Sequence, residues 1–178
     1  MLLLTHISKA QRFSIEAVNS YTIITSPSEY VYFRSYSEGL KTILPSYGLE
    51  LSYRNNTNSL VSYSFGTSFG SKNLISVPFY INYNWNHPII SSVGLGLNYF
   101  HRDDNNMRQV PQVINDIQIC GRLKKDFTLT PKFQAGVSAN LAYGIVEHSF
   151  IVFYPDITYK INFHYLLFAT NFSLKYNF

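Results

Sequence analysis

The chain has a single cysteine, Cys120, among 178 residues. Neither an intrachain disulfide nor a thiolate metal cluster can be built from it. Charge is scarce too: Asp, Glu, Lys and Arg make up 13% of the sequence, against about 25% in an ordinary soluble domain. The net charge of +4 is scattered, whereas nucleic-acid binding needs a basic patch on one face or along one helix. Short basic runs such as Arg122-Leu123-Lys124-Lys125 read as a strand end and turn, so no nucleic-acid partner is expected. Long apolar runs are also missing. A membrane-spanning helix needs about 20 mostly apolar residues, and the runs here are far shorter.

Aromatic residues, by contrast, are abundant at 17%. Mean hydropathy is still only -0.03, because Asn, Ser, Thr and Tyr dilute the apolar residues. The dilution is periodic. Phe13, Ile15 and Ala17 alternate with Arg12, Ser14 and Glu16, and Tyr47, Leu49, Leu51 and Tyr53 with Gly48, Glu50, Ser52 and Arg54. Val77, Phe79, Ile81, Tyr83 and Trp85 show the same spacing, as do Val93 to Tyr99, Phe133 to Leu141, Ile157 to Phe163 and Phe172 to Phe178. A period of two is the signature of strands with one apolar face.

Polar clusters punctuate these runs. Residues 54–58, Asn86-His87-Pro88 and Lys124-Lys125-Asp126 read as short turns, and 26–46 and 102–112 as longer loops. Short and long connections alternate in an antiparallel up-and-down barrel that crosses a membrane. About nine alternating segments are present, yet single-chain bacterial barrels have an even number of strands. Eight strands result if 150–163 is partly an extended loop, and ten if Tyr30 to Tyr36 adds one. Residues 11–178 form one domain. Residues 1–10 are a disordered tail or the remnant of an export signal peptide, with small residues Ser8 and Ala10 placed for cleavage.

Alternation alone does not say which face is outside. In a soluble barrel the apolar face points inward, and in a membrane barrel the sense reverses. The apolar positions are rich in aromatics near strand ends (Tyr53, Trp85, Tyr99, Tyr143, Tyr176), where an aromatic girdle would meet the bilayer interface. The opposite positions combine small residues with isolated charges of both signs: Glu16, Glu50, Arg54, Arg122, Lys132, Lys160 and Lys175. These are expected to form a lumenal charge network. An all-β transmembrane barrel follows.

The segment ending in Phe172, Leu174, Tyr176 and Phe178 resembles the C-terminal assembly signal of small Gram-negative outer-membrane β-barrel proteins. Residues 75–85 and 93–99 also look like strands of that family. The resemblance implies a bacterial outer-membrane location, contact with outer-membrane lipid and lipopolysaccharide, and recognition by the barrel-assembly machinery during biogenesis. It implies nothing about activity, because this fold hosts many functions.

Candidate chemistry is thin. Glu147-His148-Ser149 holds an acid, a base and a nucleophile, as a lipid A acyl hydrolase would require. Adjacent residues of an extended chain point to opposite faces, and this triplet lacks the His-x-Ser spacing that lipid A deacylase barrels show. The carboxylates of His101-Arg102-Asp103-Asp104 are too few for a calcium loop. No cofactor or metal is expected. The sequence therefore points to a non-enzymatic barrel: a structural or accessory subunit of a larger outer-membrane protein complex, or a surface-binding module. The alternatives are a lipid-modifying enzyme and a soluble lipocalin-like ligand-binding barrel.

Overall fold

The structure, a computed structural model, describes residues 12–25, 43–55, 59–71, 73–85, 87–103, 113–153 and 158–178. Its strands are β1 (Arg12–Thr25), β2 (Ile43–Arg54), β3 (Val61–Gly70), β4 (Leu74–Asn84), β5 (Ser92–Asp103), β6 (Val113–Thr128), β7 (Phe133–Gly144), β8 (His148–Phe153), β9 (Thr158–Phe163) and β10 (Leu166–Asn177). Eight of them close an antiparallel barrel in the order β1-β10-β7-β6-β5-β4-β3-β2, while β8 and β9 pair only with each other. This resolves the strand count at eight. The alternating stretch near 150–163 is a hairpin inside the β7–β10 connection, outside the barrel wall. Tyr30 to Tyr36 and residues 1–10 lie outside the described residues.

Closure is made by β1 and β10, in register from Ser14 against Asn177 to Thr25 against Leu166. The Phe178 amide adds a last hydrogen bond, donating to the Phe13 carbonyl at 3.0 Å. One rim carries the β1 start, the β10 end and the turns at 55–60, 85–91 and 129–132; we call it the turn rim. The opposite, loop rim carries the connections after β1, β5 and β7 and the tight 71–73 turn, where Asn73 adopts a φ of 51°.

One predicted turn is misplaced. Lys124-Lys125-Asp126 lies within β6, not after it. The chain reverses instead at 129–132, where Pro131 has no N–H to offer a ladder. There Thr130 Oγ1 accepts the amides of Lys132 at 3.3 Å and Phe133 at 3.0 Å. Lys132 is consequently exposed in that turn and takes no part in the lumen, a correction to its assignment there. Lys160 stands on β9, away from the barrel wall, and its side chain is outside the described residues.

The barrel is inside out relative to a soluble one. Leu95 is 69% exposed and Tyr47 65%, while Gln118 is 0% and Arg122 5% exposed. Arginine, lysine and glutamate are almost never fully buried unless paired, so the polar interior is deliberate. In water the outer belt would forfeit its whole hydrophobic contribution; against acyl chains it loses nothing. Two local devices keep the wall packed. A β-carbon at Gly96 would strike the Phe79 carbonyl, so only glycine lets β5 approach β4 there. Pro78 lacks an N–H, and the β3–β4 ladder skips Gly66 and Thr67 opposite it.

The outward face predicts a depth-dependent penalty. Leu97→Arg, at mid-wall on β5, should destabilise the barrel by about 2–4 kcal/mol in lipid vesicles. Urea unfolding of the vesicle-inserted protein measures this, with exposed Leu129→Arg in the 129–132 turn as the near-neutral control.

Candidate functional site

The lumen is layered along the barrel axis. Nearest the turn rim lies an ionic layer. Arg122, on β6, donates Nη1 to Glu50 Oε2 at 2.6 Å and Nη2 to Ser64 Oγ at 2.9 Å and Asn82 Oδ1 at 2.8 Å. Its guanidinium also sits 4.1 Å over the Tyr80 ring, a cation–π contact. Lys124 donates to Glu16 Oε1 at 2.7 Å and reaches the other carboxylate oxygen as well. Asp126 lies 3.5 Å from Lys124 and 3.8 Å from Lys175. Glu16, Glu50, Arg122 and Lys124 are all buried.

The ionic layer thus gathers Glu16, Glu50, Arg122 and Lys175 of the sequence-named charges and adds Lys124 and Asp126. Those two escaped notice because their run was read as a turn; their spacing at 122, 124 and 126 was the signal. Arg54 sits half-buried at the turn rim, its Nε donating to the Ser59 carbonyl at 2.7 Å.

Above the ionic layer, Asn98 donates to Gln118 at 2.8 Å and accepts from Ser76 at 2.7 Å. Toward the loop rim the lumen turns apolar. Ile24, Leu44, Leu74, Phe100, Tyr165 and Leu167 are all buried in one cluster with Cys120. Sequence reading missed this plug. The signal was a set of apolar doublets, Ile23-Ile24, Ile43-Leu44, Leu74-Ile75, Tyr99-Phe100 and Leu167-Phe168. In a strand, consecutive apolar residues make both faces apolar, and every doublet lies at the loop-rim end of its strand. Among the described residues the lumen holds small cavities of about 80 and 110 Å³, both lined by Glu50 and Arg122, the first reaching up to Leu74, Phe100 and Leu167 of the plug and the second opening toward the turn rim.

The remaining named residues fall elsewhere. Trp85, Tyr99 and Tyr143 are exposed on the belt, and Tyr53 and Tyr176 half-exposed. At the turn rim Phe13 packs on Tyr53 at 4.9 Å between ring centroids, and Tyr176 on Phe133 and Phe178 at 5.1 Å each. Phe172 and Leu174 face outward on β10. Glu147 is exposed; His148 and Ser149 open β8, where successive residues alternate in direction, and their side chains are outside the described residues. His101 pairs with Asn115 at 2.8 Å. Among the described residues no cluster of three His, Cys, Asp or Glu is placed to hold a metal.

Comparison with known proteins agrees on the architecture. The solved structures similar to this chain include Neisserial surface protein A, with a TM-score of 0.59 and 11% identity over 93% of this chain and 97% of that one. Another is the outer membrane protein AlkL determined in lipid bilayers, with a TM-score of 0.54 and 8% identity over 95% and 90%. No family model and no curated protein matches the sequence. At such identities the likeness shows the fold. Together with the inverted faces and the even strand count, it settles the class. The chain is a membrane-spanning β-barrel of the bacterial outer membrane. The soluble lipocalin-like alternative fails on the belt: its apolar face would have to point inward.

Removing one partner of the buried Arg122–Glu50 pair leaves the other charge stranded. Glu50→Gln and Arg122→Met should each cost about 3–5 kcal/mol, and the double variant markedly less than the sum of the two. Unfolding free energies around this double-mutant cycle check it.

Proposed function

We propose that the protein is a non-catalytic accessory subunit that docks sideways on a larger outer-membrane protein. The observation that carries this reading is the filled lumen. With an ion-pair layer at one end and an apolar plug at the other, the lumenal cavities among the described residues, about 80 and 110 Å³, fall well short of a substrate-sized site, which normally needs about 300–1,000 Å³. The surfaces large enough to dock another protein are the belt and the two rims.

The belt is uneven, which favours lateral docking. On β2 to β5 its mid-wall residues are bulky, among them Leu49, Leu51, Phe65, Phe79, Ile81, Leu95 and Leu97. On β6, β7, β10 and β1 bulky residues such as Ile119, Leu141 and Phe172 are interspersed with the small or polar Gly121, Ala135, Ala139, Thr170, Ala17 and Asn19. Ala139 lies directly opposite Thr170, and Thr170 opposite Tyr21. Small residues let a neighbouring membrane segment approach closely, and polar groups in a lipid-facing wall are costly unless covered.

In this reading Tyr53, Trp85, Tyr99, Tyr143 and Tyr176 form an aromatic girdle at the two interfaces, with the turn rim periplasmic and the loop rim extracellular. Phe172, Leu174, Tyr176 and Phe178 are the strand the barrel-assembly machinery reads. Lipid and lipopolysaccharide surround the belt.

A photo-crosslinking amino acid at Ala139, compared with one at Leu97 on the bulky side, tests the docking. After mild detergent extraction from native membranes, the Ala139 probe should capture one partner at stoichiometric yield and the Leu97 probe should not. A lone monomer with equal, diffuse crosslinks to lipid at both positions would remove the accessory reading.

A further inference from the structure

The ionic layer is tightly tied on one side and loose on the other. Arg122 and Lys124 each have a carboxylate within hydrogen-bond distance. Lys175 does not: its ion-pair partner, Asp126 Oδ2, stands 3.8 Å away, and the same carboxylate is shared with Lys124. Glu16 lies beside Lys175 in the β1–β10 register but is committed to Lys124. Lys175 remains 20% exposed, toward the cavity of about 110 Å³ at the turn rim.

Around that ammonium the register assembles an arc of uncommitted groups. Ser14 on β1 faces Asn177 on β10 and Ser52 on β2, and Gln134 on β7 faces Lys175 itself. All line the same cavity. Among the described residues, the side chains of Ser14, Ser52, Gln134 and Asn177 make no hydrogen bond. The opposite wall is different: Asn84 and Ser62 bond each other at 2.9 Å, and Asn82 serves Arg122. Hydroxyls, primary amides and an ammonium have donors in common. The cavity is lined by the cations Arg54, Arg122, Lys124 and Lys175 against the carboxylates of Glu50 and Asp126, with Glu16 behind Lys124. Even counting Glu16, the balance is positive, and low-dielectric walls focus that potential at the mouth.

We propose that the turn-rim cavity is a binding site for a small free oxyanion of the phosphate class, held by Lys175 with the amides of Gln134 and Asn177 and the hydroxyls of Ser14 and Ser52. The wall of the barrel separates this site from lipid headgroups, so the ligand enters as a solute from the turn-rim side. Asp126 sets the limit on affinity, because an anion must share Lys175 with it.

The test uses the full chain, refolded in a detergent with an uncharged sugar headgroup. Inorganic phosphate is titrated at fixed ionic strength against chloride while backbone amide shifts are followed by NMR. Saturable shifts are expected at Ser14, Ser52, Gln134 and Asn177, absent with chloride alone. Lys175→Met should weaken binding about tenfold or more, as loss of a charge-assisted bond implies, and Lys175→Arg should retain it. Gln134→Leu, which leaves every charge in place, should weaken it about two- to threefold. Equal shifts with chloride, or unchanged phosphate binding in a folded Lys175→Met or Gln134→Leu barrel, would overturn the proposal.

Discussion

A guanidinium confined to the middle of a narrow lumen is the constraint on which the rest of this barrel depends. Arg122 cannot be left bare in such a place, because an unpaired charge away from water costs several kcal/mol. Its partners come from three other strands: Glu50 from β2, Ser64 from β3, and Asn82 and Tyr80 from β4. Only when β6 and β2 face each other across a closed cylinder can all of them reach it. A slip of one residue in β6 would turn Arg122 toward lipid and Leu123 inward. The ion pair therefore enforces closure and register, whatever its net contribution to stability.

The same alternation that sends charge inward sends the apolar set outward, and the bilayer supplies the apolar surroundings that a soluble protein finds in its core. The lumen then has to solve its own packing problem. It does so with two materials: charged and amide groups toward the turn rim, and aliphatic and aromatic side chains near the loop rim. The change of material along one axis makes the two ends unlike. One end is lined by polar groups, and the other is filled by Leu44, Leu74, Phe100 and Leu167.

Much of this was readable from the residues, for a physical reason. A period of two is a backbone property, so the strands of the wall, and the face of each that meets lipid, follow from alternations such as Val77 to Trp85. The charges Glu50 and Arg122 were visible as exceptions on the small-residue face. What the sequence concealed depends on distant pairing. Nothing local tells that Lys124 answers Glu16, 108 residues away, or that a basic run is strand and not turn. Lys132 and Lys160 carry the right parity but lie on a turn and on a side hairpin, because parity carries no information about where a strand leaves the wall. The plug was legible only as doublets, whose second apolar residue has no meaning until eight strand ends are brought to one rim.

The central claim is that the apolar positions face acyl chains and the charged positions do not. Bromine-labelled phospholipids test it directly. With Trp85→Phe as background, a tryptophan placed at Leu97 on β5 or at Leu141 on β7, two strands apart in the wall, should be strongly quenched by bromines deep in the acyl chains. A folded barrel whose tryptophans at both positions escape quenching, and which remains in solution once lipid and detergent are removed, would contradict the account.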